Sequence, residues 1–116
     1  MQQTNLALMA RLNGPAVVPV DLIRQCRTYR DVVRLGWQLR RVHHMTQRQL
    51  ACEAGLRPQH VTDYLNADDK PTRRSLPAEC IAAFEAVVGN TAVSQWLAWR
   101  ATLTVLEEMQ AMRAAA

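Results

Sequence analysis

The sequence predicts an all-α protein, a compact bundle of about five to six helices. Three observations carry that expectation. Helix-favouring Ala, Leu, Arg and Gln are abundant, while Gly and Pro number only 4 and 5 in 116 residues. Apolar residues recur three and four positions apart between recognisable helix caps. Alternation of apolar and polar residues is scarce, and its best instance, AVVPV at Ala16 to Val20, is interrupted by Pro19.

Each element has its own justification. Thr4 to Leu12 has the composition of a short helix, stopped by Asn13, Gly14 and Pro15. Asp21 is placed to cap a turn of helix. Thr28 and Asp31 have the form of a capping box, a hydroxyl followed three residues later by a carboxylate. Val32, Leu35, Leu39 and Val42 then recur at helical spacing, which predicts a helix from Tyr29 to about His43 with Arg34, Arg40 and Arg41 off the apolar stripe. A second capping box, Thr46 with Gln49, opens a helix of barely two turns that Gly55 closes in the left-handed conformation. Pro58 then starts a further helix, because a proline at the first helical position loses no hydrogen bond. Its inner face is Val61, Tyr64 and Leu65, and its other face carries Gln59, His60, Thr62, Asp63 and Asn66.

After the polar loop NADDKPTRRS, Pro77 stands in the first turn of a helix with Ile81, Phe84, Val87 and Val88 inward and Gly89 behind it. Asn90 is placed to cap the last helix, along which Val93, Trp96, Leu97, Leu103 and Leu106 share one side as far as about Met112. The organisation expected is an arm or short helix over residues 1–19, a central unit over 20–90 and a C-terminal helix over 91–116.

Charge is unevenly spread. Residues 1–60 hold nine Arg against Asp21, Asp31 and Glu53, a balance of +6, whereas residues 61–116 hold five basic and seven acidic residues, a balance of −2. Arg dominates the basic half, and its planar fork suits phosphate and base edges. Three cysteines, Cys26, Cys52 and Cys80, are too few for a disulfide framework and read as small buried hydrophobes in a reducing cytoplasm. The three histidines have no Cys or carboxylate at ligand spacing, so no metal and no cofactor is expected. No charged start leads into a long apolar core, and no apolar run reaches about 18 residues, so neither export nor membrane insertion is indicated. Acidic residues are scattered singly, with no nucleophile and base at matching positions, and an enzyme is not expected.

The two short helices point further. A helix of eight residues does not stand alone, so its neighbours must pack on it. A small residue at Ala51, a turn at Gly55 and apolar Leu50, Leu56 and Val61 between the helices are what such packing needs. The stretch TQRQLACEAGLRPQHVTDYLN, Thr46 to Asn66, preceded by Leu39 to Arg41, resembles the phage-repressor (Xre-type, lambda-repressor-like) helix-turn-helix family over about Leu35 to Phe84. The flanking segments are similar to small prophage-encoded regulators.

That resemblance implies a transcriptional regulator of double-stranded DNA, a prophage-type repressor that acts as a dimer on an inverted repeat. It implies that Gln59, His60, Thr62 and Asp63 face base edges; a Gln59 amide pairs with adenine by two bonds. Gln47, Arg48, Arg57, Arg73 and Arg74 are then expected on phosphates. Two positions depart from the family pattern. Pro58 replaces a polar reader with an apolar contact, and Asp63 repels phosphate unless it accepts from a cytosine amino group or pairs with a neighbouring Arg. Asn66 is placed to cap the end of the helix instead. A single module buries little surface, so a homodimer is expected, with Trp99, Leu103 and Leu106 at its interface and Trp96 in the core. The alternative is a helix-turn-helix module that binds a protein partner, of antitoxin or anti-repressor type, which Pro58 and Asp63 favour and the Arg distribution disfavours.

Overall fold

The computed structural model describes residues 14–68 and 70–115. Its elements are α1 Val20–Gln25, α2 Tyr29–Gln38, α3 Gln47–Ala54, α4 Pro58–Tyr64, a 3-10 turn Ala78–Cys80 that leads into α5 Ile81–Val88, and α6 Ala92–Ala115. There is no strand among the described residues. Ala16 makes a single parallel bridge to Asn90, and the segment around it runs extended. The helix expected at Thr4 to Leu12 lies outside the described residues.

Both capping boxes form. Thr28 Oγ1 accepts from the Asp31 amide at 3.1 Å while the Asp31 carboxylate accepts from the Thr28 amide at 3.2 Å. Thr46 and Gln49 repeat the exchange at 3.2 and 2.9 Å. Each box satisfies donors that a helix start leaves open. Asp21 does not cap α1. The helix begins at Val20, directly behind Pro19, and Asp21 lies in its first turn, where its charge complements the helix dipole.

α2 stops at Gln38 and not at His43. Arg40 braces the turn past that end: its guanidinium lies 4.2 Å over the Trp37 ring and donates to the carbonyls of Trp37, His43 and Met45 at 3.1, 2.7 and 3.1 Å. The Trp37 carbonyl is one that the end of a helix orphans, and those of His43 and Met45 belong to the turn beyond it. The buried face of α2 is consequently Val32, Val33 and Gly36, and Leu39 and Val42, expected on the stripe, are exposed.

The core is one cluster. Leu50, Ala51 and Ala54 of α3, Val61 and Tyr64 of α4, and Phe84 and Val88 of α5 join Val32 and Val33 of α2 and Val93 and Trp96 of α6. α3 packs on α4 and α5, and α2 packs on α4, α5 and α6. Burying a side chain such as Leu50 or Phe84 contributes about 1.5–3 kcal/mol. Gly55 at φ 70° and Gly89 at φ 84° end α3 and α5 in the left-handed region, as their positions predicted. The buried Asn90 caps α6 by accepting from the Ala92 amide at 3.3 Å, and its amide donates to the Gly36 carbonyl of α2 at 2.9 Å. Buried Glu85 accepts from the Ser94 amide and hydroxyl at 2.9 and 2.6 Å, so its charge is hydrogen-bonded.

α6 continues unbroken to Ala115, but only Ala92, Val93 and Trp96 are buried in it. Trp96 Nε1 donates to the Cys26 carbonyl at 2.9 Å, which holds the first turns of α6 against the end of α1. Leu97, expected on the inward side, is 39% exposed because it falls a third of a turn past Trp96. No helix among the described residues is long and apolar enough to cross a membrane.

Candidate nucleic-acid interface

The face that α4 presents outward follows from what it buries. Ala51 is 1% exposed, which lets α3 and α4 approach closely, and Leu50 and Val61 fill the wedge between them. With Val61 and Tyr64 turned inward, Gln59 and Thr62 stand exposed on the other side. His60 is half-buried, its ring edge-on to Tyr64 with centroids 6.4 Å apart. Pro58 occupies the first helical position and Arg57, exposed, immediately precedes it. Gln47 and Arg48 are exposed in the first turn of α3. The expected side chains Gln59, Thr62, Arg48 and Arg57 are therefore solvent-facing together with Gln47.

The C-terminal end of α4 is different. Asp63 accepts from Arg73 at 3.3 Å and from Arg74 at 3.2 Å, and Arg73 also donates to Asp68 at 3.0 and 3.3 Å. Desolvation pushes the Asp63 carboxyl up, but the hydrogen bonds from Arg73 and Arg74 outweigh it and hold the group below its ordinary range. The hydrogen bond from Arg73 does the same for Asp68. Two carboxylates and two guanidinium groups thus neutralise one another. Pairing with a neighbouring Arg, one of the two ways for Asp63 to avoid repelling a phosphate, is the one realised here. Arg73 is largely engaged in these bonds, whereas the Arg74 side chain stays 58% exposed.

A buried Arg that the sequence reading missed anchors this end. Arg30, 5% exposed on α2, donates to the main-chain carbonyl of Asp63 and, at 3.2 Å, to that of Arg74. A signal existed: Arg30 precedes buried Val33 by three residues and Trp37 by seven, so it lies on the apolar side of α2. Tyr29 next to it donates to the Leu76 carbonyl at 2.8 Å. Burial, with Cys80 and Glu85 nearby, pushes its phenol up to about 12, which keeps it a donor. Asn66 does not cap α4 through its side chain; its Oδ1 accepts from the Asp68 amide at 3.2 Å and shapes the loop.

The basic half of the chain is partly internal. Arg40 braces the turn past α2, and Arg41 donates to the carbonyls of Gly14 and, at 3.4 Å, Gly89. Arg24, Arg27, Arg48 and Arg57 remain exposed. Cys52 is exposed, against the expectation of a buried cysteine, because α3 turns Leu50, Ala51 and Ala54 inward and position 52 falls opposite them. Cys26 and Cys80 are half-buried. Trp99 and Leu103 on α6 are half-buried and Leu106 is 50% exposed. The chain matches no protein-family model, no curated protein and no solved structure.

Proposed function

We propose that the chain is a sequence-specific double-stranded DNA-binding transcriptional regulator of the helix-turn-helix type, similar to phage repressors. The observation that carries this reading is the division of α4. Its inner face is locked into the core, while its outer face offers Gln59 and Thr62 with Arg57 at its start and a self-neutralised carboxylate at its end, and α3 adds exposed Gln47 and Arg48. A short helix held rigidly from behind and polar in front can enter a major groove, with Gln59, His60 and Thr62 at base edges and Gln47, Arg48, Arg57 and Arg74 near phosphates. Two copies on an inverted repeat, half-sites about 34 Å apart, supply the surface that one copy lacks. Repression by occluding a promoter is the simplest action for such a chain.

Selection from random duplexes at two salt concentrations tests this. The expected result is an enriched inverted repeat and binding that weakens steeply with salt, as counterions are released. Binding without enrichment and without salt dependence would sink the proposal in favour of the protein-interaction module, which the electroneutral end of α4 suits.

A further inference from the structure

We infer that a second copy of this chain docks antiparallel along α6, with Met109 and Met112 of each copy filling a groove beside Trp99 of the other. The inference rests on the dimer in the reading above and specifies which surfaces meet. Of the 24 residues in α6 only Ala92, Val93 and Trp96 are buried, and the part after Trp99 runs on for about 24 Å. A single helix of that length is marginal in water without a packed face.

Gln95, Ala98, Thr102, Val105, Met109 and Met112 follow one another at alternating steps of three and four and so share one face of α6, the pattern of a two-helix seam. Near its start that face opens into a groove of about 270 Å³ walled by Val20, Ile23, Arg24, Gln95, Ala98 and Trp99. Towards its end the same face carries Val105, Met109 and Met112, which are 54%, 46% and 72% exposed.

One end is therefore hollow, with the small Ala98 between Gln95 and Trp99, and the other is raised with Val105 and the flexible Met109 and Met112. Two copies complement each other only head to tail. A parallel pair would stack methionine on methionine and leave both grooves empty. The antiparallel register that joins the seam sets Met109 against Ala98, Met112 against Gln95 and Thr102 against Val105 of the other copy. Charge agrees with it: Glu108 comes level with Trp99, beside Arg24 on the groove rim. Methionine adapts to an irregular apolar groove better than a branched side chain does. Trp99 and Leu106 border this seam, while Leu103 sits half-buried on the adjoining side.

The test uses the full chain carrying Cys52→Ser, with its mass read by light scattering at micromolar concentration. The expected mass is that of two chains, and Met109→Glu should return it to the 13.1 kDa of one chain, with part of the helical signal lost as the end of α6 frays and a cooperative thermal transition of the core retained. For direction, Ala98→Cys and Met109→Cys chains are oxidised separately and mixed. Cross-linking in the mixture alone supports the antiparallel pair; self-cross-linking of Met109→Cys, or a monomeric parent chain, overturns it. Duplex selection keeps the two readings apart. A dimer that selects no sequence retains the interface and loses the DNA reading, and a monomer that selects one half-site does the reverse.

Discussion

The Arg30 side chain of α2 donates to the main-chain carbonyl of Asp63, so the helix that holds the core also holds the last turn of α4. Through Arg74 the same guanidinium fixes the loop behind that turn. The outer face of α4 is set from behind by a buried charge with main-chain partners, in addition to apolar packing.

Arg30→Met removes those donors and leaves two carbonyls to find others. Hydrogen bonds to a charged group are worth about 1.5–3 kcal/mol each, so losing two is expected to cost roughly 3–6 kcal/mol. Urea unfolding measures it; an unchanged midpoint would show that the guanidinium is dispensable.

Gly55→Ala isolates the cost of a backbone conformation. No atom lies within 4 Å of where the new Cβ would stand, so only the left-handed φ of 70° opposes it. The expected loss is about 1–2 kcal/mol. Thermal unfolding that shifted upward would mean the turn relaxes without penalty.

Acid should loosen the loop that follows α4. Asp63 and Asp68 both titrate below the ordinary 3.8, so their contribution is fully present above that value and lost as pH falls beneath it through their lowered pKa values. Carboxyl carbon shifts followed by NMR should give midpoints under 3.8 for both, and Arg73→Gln should move both back up. Midpoints at the ordinary value in the parent chain would contradict the ion-paired geometry.

Two substitutions separate reading from holding in the proposed DNA complex. Gln59→Ala should cost about 1–3 kcal/mol on the preferred duplex and relax preference at one base pair. Arg57→Ala should weaken every duplex alike and reduce the salt slope. An equal loss on all sequences from the first, or a selective loss from the second, would reassign the roles.

What the sequence made legible was local. Thr28, Thr46, Gly55 and Pro58 act within a turn of where they stand, and the structure uses each as its chemistry dictates. The fold class and the inward Leu50, Ala51, Val61 and Tyr64 followed from the same short-range patterns, whereas Cys52, expected inward, lies on the exposed side of α3. Long-range partners stayed hidden. Arg30 and Arg41 look alike in a basic stretch, yet each bonds carbonyls tens of residues away that no spacing rule locates. The pairing of Asp63 was open for the same reason, since its two Arg partners lie ten and eleven residues away across a loop.

The extended segment near the start of the chain has a consequence for how the protein is made. Val18 exchanges both its main-chain groups with the Gln95 amide, at 2.8 and 2.9 Å, and the Cys26 carbonyl waits for Trp96. A nascent chain therefore leaves the ribosome with Val18 and Ile23 uncovered until the opening turns of α6 emerge. Closure over 77 residues delays this part of the fold until the opening turns of α6 have been made. A chain halted before Trp96 would expose Val18 and Ile23 to chaperones and proteases.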